Sequence, residues 1–244
     1  MNFSDPLDCL YPFPNEVIIE HRESAIDFAK HMLRRGRIER CLVMWVDGSA
    51  QPRLPGKRVD RISASAVGWL DFSSNNWTES VTLNSLEHSP TNVNEAELVA
   101  IQEAFRTACD QVNEFDRLVI FSDSQCALKG LRNQSNFPFI PNTDAKNSIL
   151  RYANQLYDVG IIVELRWVPG HSRVEGNERV DKLARRSGRL ARHYLSQKPL
   201  QTKLRHVTIT ADSSRMLRKN LRKLIVLQLR EEEKAIISKK DLIP

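Results

Sequence analysis

Four acidic residues occupy positions from which their carboxylates could converge. Asp47 and Asp123 come directly after apolar, strand-like runs, whereas Glu97 and Asp181 lie in segments with helical spacing. An acid at the end of a buried strand costs desolvation energy unless a cation or hydrogen bonds compensate its charge. Converging carboxylates also repel one another, so a divalent cation is their natural partner. The pattern therefore predicts a site for hard, oxygen-preferring ions, Mg²⁺ or Mn²⁺.

Each acid has an ordinary interpretation when it is taken alone. Asp47 could end a strand in a turn, and Asp123, followed by Ser124, could simply cap a helix. Glu97 could face solvent, and Asp181 could be a surface acid on a basic helix. The specificity of the pattern comes from all four acids occurring in this order on these element types. Two ions about 3.5–4 Å apart could then activate a water and stabilise the leaving oxygen in a displacement at phosphorus.

The apolar spacing predicts an α/β protein. In chain order, the expected elements are a helix at 24–35, a strand at 40–47, a hairpin of strands at 63–72 and 77–87, a helix at 94–112, a strand at 117–123, helices at 124–132 and 144–157, a strand at 161–168 and a helix at 175–192. Short turns favour three antiparallel strands, and helical connections favour two parallel additions. The predicted fold is a mixed five-stranded sheet flanked by helices, with loops at 51–61 and 133–144.

The two ends of the chain are predicted to be extensions of this core. Residues 1–39 form an N-terminal extension with one helix, 40–195 form the catalytic domain, and 196–244 form a basic C-terminal helical extension. Residues 1–20 are expected to be irregular and 198–211 to be a linker, whereas 212–238 have helical spacing. Residues 201–244 contain 11 basic and 5 acidic residues, which accounts for the whole net charge of +6. A polyanion such as nucleic acid suits this end, although a solvated helical face would give the same composition.

The segment 40–192 resembles the ribonuclease H domain of the type 1 family, which also occurs inside reverse transcriptases. The blocks that carry the resemblance are "DGSA", "NEAEL", "SDSQ" and "GHSRVEGNERVDKLA", in that order. The resemblance implies a ribonuclease H-like fold and an enzyme that cuts the RNA strand of RNA–DNA hybrids. It also implies that Asp47, Glu97, Asp123 and Asp181 are catalytic and bind two Mg²⁺ ions, for which Mn²⁺ can substitute.

The same resemblance assigns further site residues. His171 would assist proton transfer or product release from a loop in which Gly170 and Gly176 permit movement. Gly48 and Ser49 would let the backbone approach the phosphates of the cleaved strand. Asn94 and Gln125 would touch the minor groove of the substrate, where short amides can contact base edges and sugar hydroxyls. Asn177 is expected to contact substrate or to orient the last helix.

Two departures from the family pattern affect substrate binding. The sequence "QPRLPGKRVDRIS" replaces a glycine-rich stretch after the first acid, and the neutral "NQSNFPFIPNTD" replaces an insert that some members use as a basic handle. The basic run 173–198 and the helix 212–238 are candidates for the missing affinity. The helix 212–238 could instead pack on the core or on a protein partner.

The composition excludes some classes of protein. Within the sequence, no apolar run reaches the roughly 18 residues that span a bilayer, and the N-terminus resembles neither a secretory signal nor a transit peptide. The scattered Cys9, Cys41, Cys109 and Cys126 are typical of reduced thiols. An intracellular protein of the nucleus or the cytoplasm is expected, with no membrane partner.

Three functions fit these observations. The leading one is a metal-dependent endonuclease that hydrolyses the RNA of hybrids by a two-metal mechanism and leaves 5′-phosphate and 3′-hydroxyl ends. The alternative is a catalytically weak or inactive nucleic-acid-binding or assembly subunit. A third keeps the fold but acts on DNA junctions or integration ends.

Overall fold

The structure is a computed structural model that describes residues 16–35, 40–52, 61–72, 74–86, 93–132, 143–197 and 207–240. Within these ranges the strands are Glu16–Ile18 (β1), Cys41–Gln51 (β2), Arg61–Leu70 (β3), Trp77–Leu86 (β4), Arg117–Ser122 (β5), Ile162–Trp167 (β6) and Val207–Ala211 (β7). The helices are Arg22–Arg35 (α1), Val93–Cys109 (α2), Gln125–Arg132 (α3), Thr143–Asp158 (α4), Glu175–Ser196 (α5) and Ser214–Lys240 (α6). Most of the predicted loops at 51–61 and 133–144 lie outside the described residues.

One mixed sheet organises the described residues, with strand order β1-β6-β5-β2-β3-β4-β7. Strands β2, β3 and β4 form the predicted antiparallel meander, and β5 and β6 add to β2 as parallel strands. The predicted class, a mixed α/β sheet flanked by helices, is therefore confirmed.

The predicted count of five strands is wrong, because each edge of the sheet gains one more in the described ranges. β1 pairs in parallel with β6, and β7 pairs antiparallel with β4. Residues 16–18 were expected to be irregular and 207–211 to belong to a linker. These strands have only 3 and 5 residues, so their side chains show too little alternation to be recognised.

The sheet separates two apolar layers. Alternate residues of β2 point to opposite faces, since side chains of a strand alternate. Leu42, Met44 and Val46 pack with the apolar faces of α2 and α4. Val43 and Trp45 pack on the other face, in a cluster that includes residues of α1, α5 and α6. The catalytic-domain boundaries at 40 and 195 remain a prediction, but both flanking extensions share this second layer.

Helix α6 confirms the helix predicted at 212–238. Leu217, Leu221, Ile225 and Leu229 recur every four residues, and each is fully buried in the layer that contains α5. Burying such side chains is worth roughly 1.5–3 kcal/mol each. The apolar stripe of α6 is thus used to complete the core, and a protein partner for this helix remains a prediction.

Candidate active site

Asp47 and Asp123 lie beside each other on neighbouring parallel strands, as predicted. The parallel pairing of β2 with β5 ends at the partners Val46 and Ser122, and the two acids follow directly. The prediction that Asp47 ends its own strand is wrong, because β2 continues to Gln51 while pairing with β3 alone. Asp47 therefore lies where the parallel part of the sheet stops, which is where α/β folds place ligands.

Helix α2 brings Glu97 to the same place. A Cβ atom on Gly48 would lie 2.4 Å from the backbone nitrogen of Glu97, so only glycine allows the helix to approach β2 so closely. The hydroxyl of Ser65 on β3 donates to the carbonyl of Ala96 at 2.7 Å and fixes the same turn. The backbone N–H of Gly48 also donates to the Glu97 carboxylate.

The three carboxylates of Asp47, Glu97 and Asp123 form a cluster, hereafter the acid cluster. One oxygen from each residue lies within 4.8 Å of the others. Asp47 and Glu97 are only 5% and 4% exposed. The Oε2 atom of Glu97 is buried and has no hydrogen-bond partner among the described residues. A buried carboxylate oxygen without a partner is costly unless a cation binds it.

Burial and repulsion between the acids both raise the pKa values in the cluster. Burial raises the pKa of Asp47 to about 8, helped by the negative charges of Asp123 and Asp181. Burial also raises the pKa of Glu97 well above its ordinary value, again with support from the neighbouring acids. Both carboxyl groups would release their protons to solvent when a divalent cation binds, because an opposite charge nearby favours the ionised form.

Asp181 lies near the acid cluster but does not belong to the group within 4.8 Å. Its negative charge raises the pKa of all three clustered acids. Its own Oδ1 accepts from Nε of Arg185 at 2.7 Å. Sequence reasoning missed Arg185, although an acid and an arginine four residues apart on a helix are a recognisable pair.

Several groups fix the position of Asp123. Asn177 is 2% exposed, and its side chain hydrogen-bonds the Asp123 carboxylate. Burial raises the pKa of Asp123, and this hydrogen bond opposes the rise. The indole N–H of Trp167 donates to the carbonyl of Asp123 at 3.2 Å. Ser124 takes the capping role considered above for Asp123, since its hydroxyl accepts from the backbone N–H of Ala127. Asp123 is therefore not needed as the helix cap, and its carboxylate belongs to the acid cluster.

Two glycines assigned to loop movement lie in closely packed positions, and the movement itself remains a prediction. A Cβ atom on Gly170 would lie 2.8 Å from Oδ2 of Asp123. A Cβ atom on Gly176 would lie 2.1 Å from the ring of Trp45, in the first turn of α5. Both glycines let the segment before α5 approach the sheet, which brings Asp181 toward the acid cluster.

His171 lies in the loop before α5 and is exposed. Its backbone has a φ of 53°, and Arg173 has one of 58°, so the loop contains two left-handed residues other than glycine. Nε2 of His171 lies 3.5 Å from a guanidinium nitrogen of Arg185. Its charge lowers the pKa of Asp123, which places the imidazole beside the site.

The residues predicted to touch substrate lie on, or next to, the elements that carry the acids, and their substrate contacts remain predictions. Ser49 is nearly buried and its hydroxyl accepts from Gln51 at 3.2 Å. Asn94 is half-buried in the first turn of α2. Gln125 is half-buried at the start of α3, where its Oε1 accepts from Lys129 at 3.1 Å. Asn177 points inward to Asp123, which favours the orienting role over direct contact.

The donor set fits a hard divalent ion. Carboxylate oxygens are the ligands that Mg²⁺ and Mn²⁺ prefer, and the buried Glu97 oxygen lacks any other partner in the described residues. An α/β fold with such a carboxylate cluster at the end of its parallel strands defines a class of metal-assisted enzymes that act on phosphate esters.

The comparisons with known proteins identify the family. A family model described as RNase H matches residues 39–188, which is more than half of the chain. The chain therefore belongs to the ribonuclease H family, and it is a ribonuclease of the kind that acts on RNA–DNA hybrids. No curated protein sequence matches the chain.

Two solved structures are similar in fold. One is LC9-RNase H1, described as a type 1 RNase H with the type 2 active-site motif. It shares 20% identity at a TM-score of 0.42, over 71% of this chain and 78% of that chain. The other is RNase H1 from the halophilic archaeon Halobacterium salinarum NRC-1. It shares 18% identity at a TM-score of 0.38, over 57% of this chain and 93% of that chain. The family assignment rests on the sequence match.

In the part of the chain that the structure describes, no helix combines the length and apolarity needed to cross a membrane.

Proposed function

We propose that this chain hydrolyses the RNA strand of RNA–DNA hybrids by a two-metal mechanism at the acid cluster. The observation that carries the proposal is the convergence of Asp47, Glu97 and Asp123, whose oxygens lie within 4.8 Å of one another. No lysine or arginine in the described residues forms an ion pair with these three carboxylates, so their charge calls for a metal.

The four acids would hold the ions. Asp47 and Glu97 are both buried, and the pKa of each responds to the charges of Asp123 and Asp181. Asp181 would turn from Arg185 to the metal by a side-chain rotation, because the pair is partly exposed to solvent. When bound, the ions supply a hydroxide from water at neutral pH and neutralise the charge that develops on the leaving oxygen.

Hydrolysis then breaks the bond between phosphorus and the 3′ oxygen of the RNA. The oxygen of water forms the new bond to phosphorus, which leaves a 5′-phosphate, and the 3′ oxygen takes up a proton. His171 would exchange protons with solvent during this step, because it is exposed and lies beside Asp123. Arg185 would hold the imidazole close to Asp181.

The choice of RNA would come from its 2′-hydroxyl groups. Asn94 and Gln125 lie at the starts of α2 and α3, which adjoin Glu97 and Asp123. Short amides at these positions could donate to and accept from sugar hydroxyls without reading base sequence. Cleavage would therefore depend on the kind of sugar and little on the sequence of the hybrid.

The direct test is cleavage of a labelled RNA–DNA hybrid with Mg²⁺ by the wild type and by Asp123→Asn. We expect the variant to lose at least about 10³-fold in rate, roughly 4 kcal/mol of transition-state stabilisation. Asp158→Asn is the matched control, because Asp158 is an exposed acid at the end of α4. Undiminished cleavage by Asp123→Asn would remove the assigned site.

Calorimetry with Mn²⁺ separates this proposal from an inactive binding subunit. The wild type should bind the ion, and Asp123→Asn should bind it more weakly while Asp158→Asn is unchanged. A wild type that neither binds Mn²⁺ nor cleaves the hybrid would support the subunit instead. Double-stranded RNA and branched DNA in the same cleavage assay test the remaining alternative substrates.

A further inference from the structure

A groove of about 690 Å³ lies between α5 and α6, and the proposed chemistry does not use it. Side chains of both helices line it, together with Glu79 of β4 and with Arg173 from the loop before α5. Helix α6 lies beyond residues 39–188, the range that matches the family. One wall of the groove thus lies outside the range that matches the family.

The groove carries an excess of positive charge. Its cationic lining residues are Arg173, Arg179, Lys182, Arg186, Arg218 and Arg222, and its acidic ones are Glu79, Glu175 and Glu178. Nε of Arg179 donates to the buried Glu79 at 2.6 Å, so these two charges compensate each other. Arg179 also stacks over the ring of Trp77, which fixes it in place. Taken as a whole, a lining with six cationic and three acidic side chains favours an anionic ligand.

The apolar part of the groove belongs to the protein core. Leu183 is 7% exposed and Leu221 is fully buried, so neither offers much surface to an incoming apolar side chain. Arg186, Arg218 and Arg222, in contrast, are exposed. An amphipathic peptide needs apolar area to bury, whereas a phosphate backbone needs accessible cations. The distribution of exposure therefore favours the phosphate backbone.

The groove adjoins the proposed active site. Arg173 follows His171 by two positions, and Lys182 follows Asp181 directly. From Lys182 to Leu190, helix α5 extends about 12 Å at a rise of about 1.5 Å per residue. One strand of a duplex presents a phosphate about every 3.4 Å along its axis, so this length matches about three phosphates.

We infer that the α5–α6 groove binds the phosphate backbone of the hybrid beyond the point of cleavage. The inference rests on the proposed function, since the bound nucleic acid is taken to be the substrate. It supplies affinity that the segment 133–144, which has no lysine or arginine, does not offer. Because phosphate contacts carry no base information, the groove would strengthen binding without adding sequence preference.

Binding of a labelled hybrid to the full chain, measured by fluorescence anisotropy in EDTA at several salt concentrations, tests the groove. The groove variant is Arg218→Gln/Arg222→Gln. Each lost phosphate contact should reduce the slope of log affinity against log salt by about 1, so the slope should fall by about 2. The affinity at low salt should fall about tenfold.

The matched control is Lys219→Gln/Lys223→Gln, which removes the same charge from exposed positions of the same helix outside the groove lining. We expect a change in slope of less than about 0.5 for this control, as nearby charges without direct contact are largely screened. Equal effects of the two double variants would overturn the inference, because they would indicate diffuse attraction to α6. An unchanged slope in the groove variant would overturn it as well.

Two further measurements keep the result decisive. Circular dichroism shows whether the groove variant is folded, and if it is not, Arg186→Gln on α5 takes its place with an expected fall in slope of about 1. Cleavage by the wild type is assayed separately with Mg²⁺. A wild type that cleaves while its groove variant binds normally contradicts the groove alone. A wild type that binds through the groove but does not cleave contradicts the proposed function alone.

Discussion

Two of the regions that bury carboxylates treat the negative charge in opposite ways. On β6, the buried Glu164 forms ion pairs with Arg117 and with Arg166, the second at 2.6 Å. Arg166 also pairs with Glu20 and stacks over Phe28, which ties the N-terminal elements to the sheet. The charge of Glu164 is compensated by side chains.

The acid cluster lacks such compensation. Asp47, Glu97 and Asp123 have no arginine or lysine ion pair in the described residues, and Arg185 pairs with Asp181 instead. Burial raises the pKa of Asp47 and of Glu97 accordingly. A buried acid by itself is therefore weak evidence of function. The informative feature is several buried acids that share a place without an ion pair to a lysine or arginine of the described residues.

The largest expected effect comes from Asp47→Asn. Cleavage of the hybrid should fall about 10³-fold or more, roughly 4 kcal/mol, because an oxygen ligand for the metal is lost. The metal-free protein should at the same time unfold at a higher temperature, since asparagine replaces a buried acid that must take up a proton on folding. Thermal unfolding in EDTA and the cleavage assay measure the two effects.

The control for this substitution is Asp116→Asn, whose pair with Arg40 is exposed and contributes little to stability. A lower unfolding temperature for metal-free Asp47→Asn would show that the acid cluster is compensated by contacts within the protein, and would remove the contrast with Glu164.

Glu164→Gln should have the opposite consequence for stability. Removing one partner of a buried ion pair leaves charge uncompensated, and because Arg117 is partly exposed we expect a loss of about 2–3 kcal/mol in the free energy of unfolding. Cleavage per folded molecule should be unchanged. Urea denaturation and active-site-normalised rates check both statements, and a stability equal to that of the wild type would contradict the assigned structural role.

The most gradual effect is a dependence of stability on pH in the metal-free protein. The folded chain keeps protons on Asp47 and Glu97 that the unfolded chain releases near their ordinary pKa values. The unfolded state then binds fewer protons, so stability falls as pH rises from about 4 toward the Asp47 pKa of about 8. The slope is at most about 1.4 kcal/mol per pH unit for each retained proton.

Urea denaturation in EDTA at pH 5, 6 and 7 measures this slope. Asp47→Asn should make it shallower, whereas Asp116→Asn should leave it unchanged. Saturating Mg²⁺ should flatten the dependence, because the metal competes with the protons. A stability that rises with pH over this range would contradict the raised pKa values.

Much of the fold and part of the site could be predicted from the sequence. The long elements have clear periodicity, and two apolar runs that each lead to an acid imply neighbouring strands, as β2 and β5 prove to be. Strands β1 and β7 were missed because a few residues show too little alternation. Their pairing is decided by the exposed edges of β6 and β4, which no local pattern reveals.

Side-chain partners were harder to predict than elements. Gly170 and Gly176 were predicted to permit loop movement. Their close packing against Asp123 and Trp45 could not be predicted, because those residues lie far away in sequence. The contact of Asn177 with Asp123 could not be predicted for the same reason. Arg185 was also missed, although its spacing from Asp181 on one helix was visible in the sequence alone. Contacts between distant segments need coordinates.

The packing of α6 has a practical consequence for how this enzyme can be shortened. Leu217, Leu221, Ile225 and Leu229 cover the same apolar layer to which α5 contributes. A chain truncated at the limit of the family match would leave that layer facing water, and aggregation is the expected outcome. Residues through at least 229 therefore belong to the smallest unit that should be purified for kinetic work.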